Sequence, residues 1–284
     1  MSSTTSSLPT LNLVGAGRVG KTLARLWRQQ STYKVQAVCT RSLESARGAV
    51  AHIGGGLAVA ELDEMPAADV WLLAVPDAQI APTGRALAAT RGALVPGTAL
   101  HCSGFLPADT LVALRALGWH LASAHPALSF ADPATAERQF AGTVCALEGD
   151  PQALQEAERA LAAIGGRCFV LDETAKPLYH GAAVFASNFL PVLQAVAAEL
   201  WQGSGVPPEL VATLAAQFLR NAADNVLKLG PAAALTGPAA RGDQGVLIAQ
   251  GAAMAARDDA LGEAYRSLST LAGRLARSGR ALPP

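Results

Sequence analysis

Residues Leu11-Asn12-Leu13-Val14-Gly15-Ala16-Gly17-Arg18-Val19-Gly20 join a short apolar run to a G-x-G-x-x-G step. A helix-forming segment, Lys21-Thr22-Leu23-Ala24-Arg25-Leu26-Trp27, follows at once. This order of strand, glycine turn and helix constrains the fold more than any other feature of the chain. Gly15 permits the tight turn, Gly17 lets a pyrophosphate approach the backbone, and Gly20 lets the helix pack closely on the strand. The helix N-terminus offers N–H groups and a positive dipole end to an anion. A dinucleotide site built from Gly15, Ala16, Gly17, Arg18, Val19 and Gly20 is expected.

The next β-favouring run, 33–40, ends at Thr40-Arg41-Ser42. An Asp or Glu there would hold the ribose hydroxyls of NAD and repel a 2′-phosphate, whereas a guanidinium between two hydroxyls attracts one. Such charge-assisted hydrogen bonds are worth about 1.5–3 kcal/mol, or roughly ten- to a hundred-fold in preference. NADP (NADPH) is the expected cofactor; an arginine merely exposed at a strand end is the alternative. A nearly continuous apolar run over 69–77 reads as a strand covered on both faces. Val75 and Pro76 at its end are also expected to touch the cofactor.

Further strands are expected at 57–60, 98–102, 119–124, 143–147 and 167–171, alternating with helices at 43–53, 78–90, 109–118 and 152–164. Such alternation predicts an α/β fold with a doubly wound, mostly parallel sheet over 11–171. From 174 onward only helices are legible (182–200, 208–229 and 244–278), so 172–284 is expected to be an all-α domain. The Ser/Thr-rich residues 1–10 are expected to form a disordered lead. The stretch 182–200 is very apolar but contains Asn188, Pro191, Gln194 and Glu199, so it reads as a buried core helix rather than a membrane span. Zero net charge without a basic cluster argues against nucleic acid as a partner. The four scattered cysteines suit reduced core thiols and a cytoplasmic location. No histidine, cysteine or carboxylate spacing suggests a metal.

In an open α/β sheet, ligands lie beyond the carboxyl ends of the strands. Ser103, Asp77 and His125 follow three strands there. Ser103 can hydrogen-bond a substrate oxygen, and the imidazole of His125 can pass a proton. Lys176 and His180, four apart, would share a helix face that Ser187 continues. Asn188 lies about 80° round from His180 on an ideal helix. Pro177 disfavours helical geometry at Lys176. Arg241, in Leu235-Thr236-Gly237-Pro238-Ala239-Ala240-Arg241-Gly242-Asp243, either clamps a substrate carboxylate or pairs with Asp243. The expected catalytic set is Lys176, His180, His125 and Ser103, with Asn188 and Arg241 binding substrate.

These residues resemble the superfamily of 6-phosphogluconate dehydrogenase, β-hydroxyacid dehydrogenases, prephenate dehydrogenase and pyrroline-5-carboxylate reductase. The closer likeness is to a branch that pairs a Rossmann-like domain with a helical domain of unknown function. It is carried by His101-Cys102-Ser103-Gly104, His125-Pro126-Ala127-Leu128-Ser129-Phe130, Tyr179-His180 with Ser187-Asn188, and the loop through Arg241-Gly242-Asp243. The resemblance implies a homodimer through the helical domains and a substrate cleft between the two domains. By similarity to prephenate dehydrogenase, Ser103 and His125 would face the substrate. By similarity to 6-phosphogluconate dehydrogenase, Lys176 would be the catalytic lysine, although His180 stands where those enzymes have an asparagine. The 235–243 loop lacks the Pro-Gly-Gly-Thr-Thr pattern of pyrroline-5-carboxylate reductase. The expectation is an NADP-dependent oxidoreductase moving a hydride to or from a small carbonyl, hydroxyl, imine or amine substrate. A non-catalytic NADP-binding sensor or scaffold is the alternative.

Overall fold

The computed structural model describes residues 7–283. They form two compact units, one through Phe189 and the other from Leu190 onward. The division falls later than the expected boundary at 171/172, because the first helical turns after the sheet belong with the sheet. Of the expected disordered lead, residues 1–6 lie outside the described residues. Thr10 opens the first strand instead, its N–H and hydroxyl both donating to Asp69 Oδ2 at 2.7 Å.

The first unit is an eight-stranded sheet: β1 (Thr10–Val14), β2 (Lys34–Cys39), β3 (Leu57–Val59), β4 (Val70–Leu73), β5 (Thr98–His101), β6 (His120–Pro126), β7 (Val144–Gly149) and β8 (Arg167–Val170). The spatial order is β3-β2-β1-β4-β5-β6-β7-β8. All neighbours are parallel except β6 and β7. The direction of winding reverses between β1 and β4, which creates the crevice where doubly wound sheets bind ligands. Helices α1 (Arg18–Gln29), α2 (Leu43–Ile53), α3 (Asp77–Ala88), α4 (Val112–Arg115), α5 (Pro133–Gln139) and α6 (Pro151–Ala162) connect the strands, and α7 (Lys176–Ala183) follows them.

Strand residues alternate between two cores. Leu11, Leu13, Val70 and Leu72 meet Leu23 and Trp27 on one face, while Val14, Trp71 and Leu73 meet Ile80, Leu111 and Trp119 on the other. Burying such large aliphatic and aromatic side chains contributes about 1.5–3 kcal/mol each. The buried indoles also find acceptors: Trp27 Nε1 donates to Ala160 O at 2.8 Å and Trp119 Nε1 to Ala93 O at 2.9 Å.

The second unit continues with α8 (Phe189–Gly203), α9 (Pro208–Leu229), α10 (Pro231–Ala234), α11 (Pro238–Arg241), α12 (Gln244–Ala255) and α13 (Asp259–Ser278). The expected helix 244–278 is thus two helices. The Asp258 carboxylate caps the second by accepting the Leu261 N–H at 2.8 Å. The stretch 182–200 is not the buried core helix expected from its composition. Phe185, Phe189, Leu190, Val192 and Leu193 are exposed. Within Glu173–Gly203 an 18-residue window has a mean hydropathy of 1.5 and no buried residue, long and apolar enough by composition to cross a membrane.

Candidate functional site

The glycine turn has the geometry its sequence requires. Gly15 lies at φ +79°, and a Cβ there would stand 2.6 Å from Val75 Cγ1 and 2.7 Å from Ala74 O. A Cβ on Gly20 would meet Ala74 Cβ at 2.8 Å, so α1 packs on β4 only because that position is glycine. Gly17 has open space where a side chain would stand and leads directly into α1. A groove of about 870 Å³ opens here, lined by Gly15, Ala16, Gly17, Thr40, Arg41, Ser42, Ala74, Val75 and Pro76. The α1 N-terminus, the exposed Arg41 and the α2 N-terminus provide positive potential for phosphates. Ser42 caps α2, its Oγ accepting the Ser45 N–H at 3.2 Å, so its own proton remains free to donate. Thr40 Oγ1 donates instead to Ser42 O at 2.9 Å. Arg18 and Val19 begin α1, Val19 half-buried and Arg18 exposed.

A continuous set of contacts leads from this groove to the histidines. Asp77 follows Pro76 and accepts the Ser103 Oγ proton at 2.8 Å. Ser103 Oγ also accepts the N–H groups of Phe105 and Leu106 at 3.2 and 2.9 Å. Its hydroxyl therefore closes the turn after β5 rather than standing free for a substrate. Gly104 comes next, and a Cβ on it would lie 2.6 Å from His180 Nδ1 and 2.9 Å from His125 Nε2. Two imidazoles, one from β6 and one from α7, thus converge on a single glycine. Their rings meet edge-on with centroids 5.8 Å apart. His180 Nδ1 is buried without a hydrogen-bond partner. Tyr179 Oη lies 3.0 Å from His125 Nδ1. Burial, reinforced by His180 and Lys176, pushes the His125 pKa down to about 4. His101, expected to be structural, is fully buried: it accepts the Ser103 N–H at Nδ1 and donates from Nε2 to Pro107 O.

Lys176 sits where the sequence did not anticipate. Despite Pro177 it adopts helical φ −55° and ψ −42° and starts α7, with its side chain only 2% exposed. Nζ donates to Ser123 Oγ at 2.7 Å and to Ser103 O at 3.5 Å, and stands 3.7 Å from Glu148 Oε2. Ser123 Oγ in turn donates to Ser103 O, and Glu148 Oε2 accepts the Ala108 N–H. Burial lowers the Lys176 pKa, opposed by Glu148, and raises that of Glu148. The ammonium is a post fixing α7 to the ends of β5, β6 and β7. Ser123 and Glu148 are absent from the sequence expectations, and Tyr179 was given no role there.

Ser187 and Asn188 do not extend the His180 face. A π turn at Val184–Asn188 inserts an extra residue per turn, the single Ser187 hydroxyl proton faces Ala183 O and Asn188 Oδ1, each 2.8 Å from Oγ, and both residues are exposed. Arg241 pairs with Asp243 through Nε and Nη2, each at 2.9 Å, as the simpler of its two readings has it. Among the described residues no cluster of three or more His, Cys, Asp or Glu is arranged to hold a metal.

Residues 10–95 match the family described as "NADP oxidoreductase coenzyme F420-dependent" and residues 143–272 match a domain of unknown function, DUF2520. The chain thus couples an oxidoreductase-type Rossmann half to a second matched region that begins at β7 and runs on through the helices. No curated protein matches the sequence. Among solved structures, an inferred NADP oxidoreductase from Bacteroides fragilis is 23% identical over 94% of this chain and 99% of its own, with a TM-score of 0.74. Protein TM1727 from Thermotoga maritima is 27% identical over 95% of this chain and 99% of its own (TM-score 0.72). A 1-pyrroline-5-carboxylate reductase from Streptococcus pyogenes shares the fold at 14% identity over 95% and 100% of the two chains (TM-score 0.60).

Proposed function

We propose that this protein is an NADP-dependent oxidoreductase acting on a small carbonyl, hydroxyl, imine or amine substrate, with His125 and His180 at the reacting end. The observation that carries this reading is the continuity from groove to histidines: Pro76 lines the groove, Asp77 holds Ser103, and both imidazoles crowd the space where a Gly104 side chain would stand. The dinucleotide would lie along Gly15, Gly17 and the α1 N-terminus, with Arg41 and Ser42 toward a 2′-phosphate. It would supply or accept the hydride. The protein contributes placement, a cation for the phosphate and hydrogen-bond donors beside the reacting oxygen or nitrogen. Lys176 acts in this reading as a positioning residue, its ammonium being held among Ser123, Ser103 and Glu148. Ser103 plays a similar part by fixing the Gly104 turn.

The exposed apolar residues along 185–193 favour a second copy of the chain as their cover, in keeping with a homodimer through the helical regions. Light scattering on the purified protein should give twice the chain mass, and Phe185→Glu with Leu193→Glu should give the monomer. Turnover is tested by following nicotinamide absorbance with NADPH against a panel of keto acids, aldehydes and cyclic imines, and with NADP against the reduced partners. Activity lost in His125→Asn but retained in Lys176→Met with Glu148→Leu supports the assignment. Tight NADPH binding without turnover across the panel would favour a sensor instead.

A further inference from the structure

The contacts of His125 decide which of its nitrogens carries the proton. Nδ1 has one partner, the phenol of Tyr179 at 3.0 Å, and Nε2 lies against Gly104 with no protein acceptor among the described residues. Either the phenol donates to a bare Nδ1, placing the imidazole proton on Nε2, or Nδ1–H donates to the phenol oxygen and the phenol proton must go elsewhere. Tyr179 Oη has no second partner among the described residues, so the second arrangement strands a half-buried hydroxyl proton. The first arrangement alone gives the phenol proton an acceptor on the protein. The Tyr179 ring is itself held edge-on, by Phe169 at 6.0 Å and by His125 at 5.6 Å between centroids.

We propose that Tyr179 is a positioning residue that fixes His125 as the Nε2–H tautomer, so that the resting protein presents a neutral N–H donor to the substrate's oxygen or nitrogen. This rests on the reading of His125 as the group that meets the substrate. It adds a direction: the resting site is set to hydrogen-bond an acceptor such as a carbonyl oxygen or imine nitrogen. It would have to exchange tautomers before Nε2 could take a proton from an alcohol or amine. The depressed basicity of His125 agrees with a neutral ring near pH 7. The phenol works through its oxygen alone, so phenylalanine at this position retains both edge-on contacts and removes only the proton that sets the tautomer.

Long-range nitrogen–proton correlation spectra of ¹⁵N-histidine-labelled protein, with His125→Asn for assignment, report the tautomer without any substrate or turnover. The expected result is a protonated Nε2 and a bare Nδ1 on His125 in the native protein. Tyr179→Phe should retain the fold and NADPH binding while His125 becomes a mixture of tautomers. A native His125 protonated on Nδ1 would overturn the proposal, as would a Tyr179→Phe spectrum with the His125 nitrogens unmoved. Absence of turnover would count against the proposed function but would leave the tautomer result standing.

Discussion

Removing the charge of Lys176 tests how α7 is held to the sheet. The ammonium is 2% exposed and sits 3.7 Å from Glu148 Oε2 with Ser123 Oγ at 2.7 Å. Deleting one member of a buried ion pair costs about 3–5 kcal/mol, because the other charge stays buried without its partner. Here Glu148 keeps the Ala108 N–H and the pair is wider than a hydrogen bond, which puts Lys176→Met at the lower end, about 3 kcal/mol. For a unit of this size each kcal/mol lowers the melting temperature by about 2–4 °C, so a drop of about 6–12 °C is expected by circular dichroism. Glu148→Leu alone should also destabilise. The double variant, with no charge left to bury, should be more stable than either single one, a coupling of about 1–3 kcal/mol. Single variants within about 0.5 kcal/mol of the parent, or strictly additive losses, would refute the anchoring role.

Gly104→Ala places a methyl within 2.6 Å of His180 Nδ1 and 2.9 Å of His125 Nε2. Because both obstacles are ends of rotatable side chains, stability should fall by only about 1–2 kcal/mol while turnover falls far more with NADPH affinity unchanged. The folded protein should also be sensitive to mild acid. His101 and His125 have folded pKa values of about 4, well below the ordinary histidine value, for burial withholds protons from both. Between about pH 6.5 and 4 the unfolded chain binds protons that the folded one does not, so stability rises with pH there, by up to about 1.4 kcal/mol per pH unit for each histidine. Urea melts at pH 7 and pH 5 measure this, and His125→Asn should flatten the dependence.

The glycine turn was legible because its requirements are local: Gly15 and Gly20 stand where no side chain fits, and the reader needs only the strand before and the helix after. The parallel sheet was legible for the same kind of reason, since Val70–Leu73 is apolar on both faces. Strand direction was not, because an antiparallel β7 carries the same residue pattern as a parallel one. Nor does composition say what covers an apolar helix, so 182–200 read as core when its chain leaves it uncovered. For Lys176 the sequence gives spacing along α7 but not depth beneath it. A signal for its partner was present: Glu148 stands in an otherwise apolar strand, and a carboxylate buried there calls for a cation or several donors. Tyr179 gave no such sign, for its contact is with a ring that β6 brings to α7.

Calorimetric titration of NADPH and NADH into the native protein and Arg41→Asp measures whether residues at the end of β2 set the cofactor preference. The native protein should bind NADPH at least about tenfold more tightly than NADH, with that preference lost or reversed in the variant. Equal affinity for the two cofactors in the native protein, or an undiminished NADPH preference in Arg41→Asp, would contradict it.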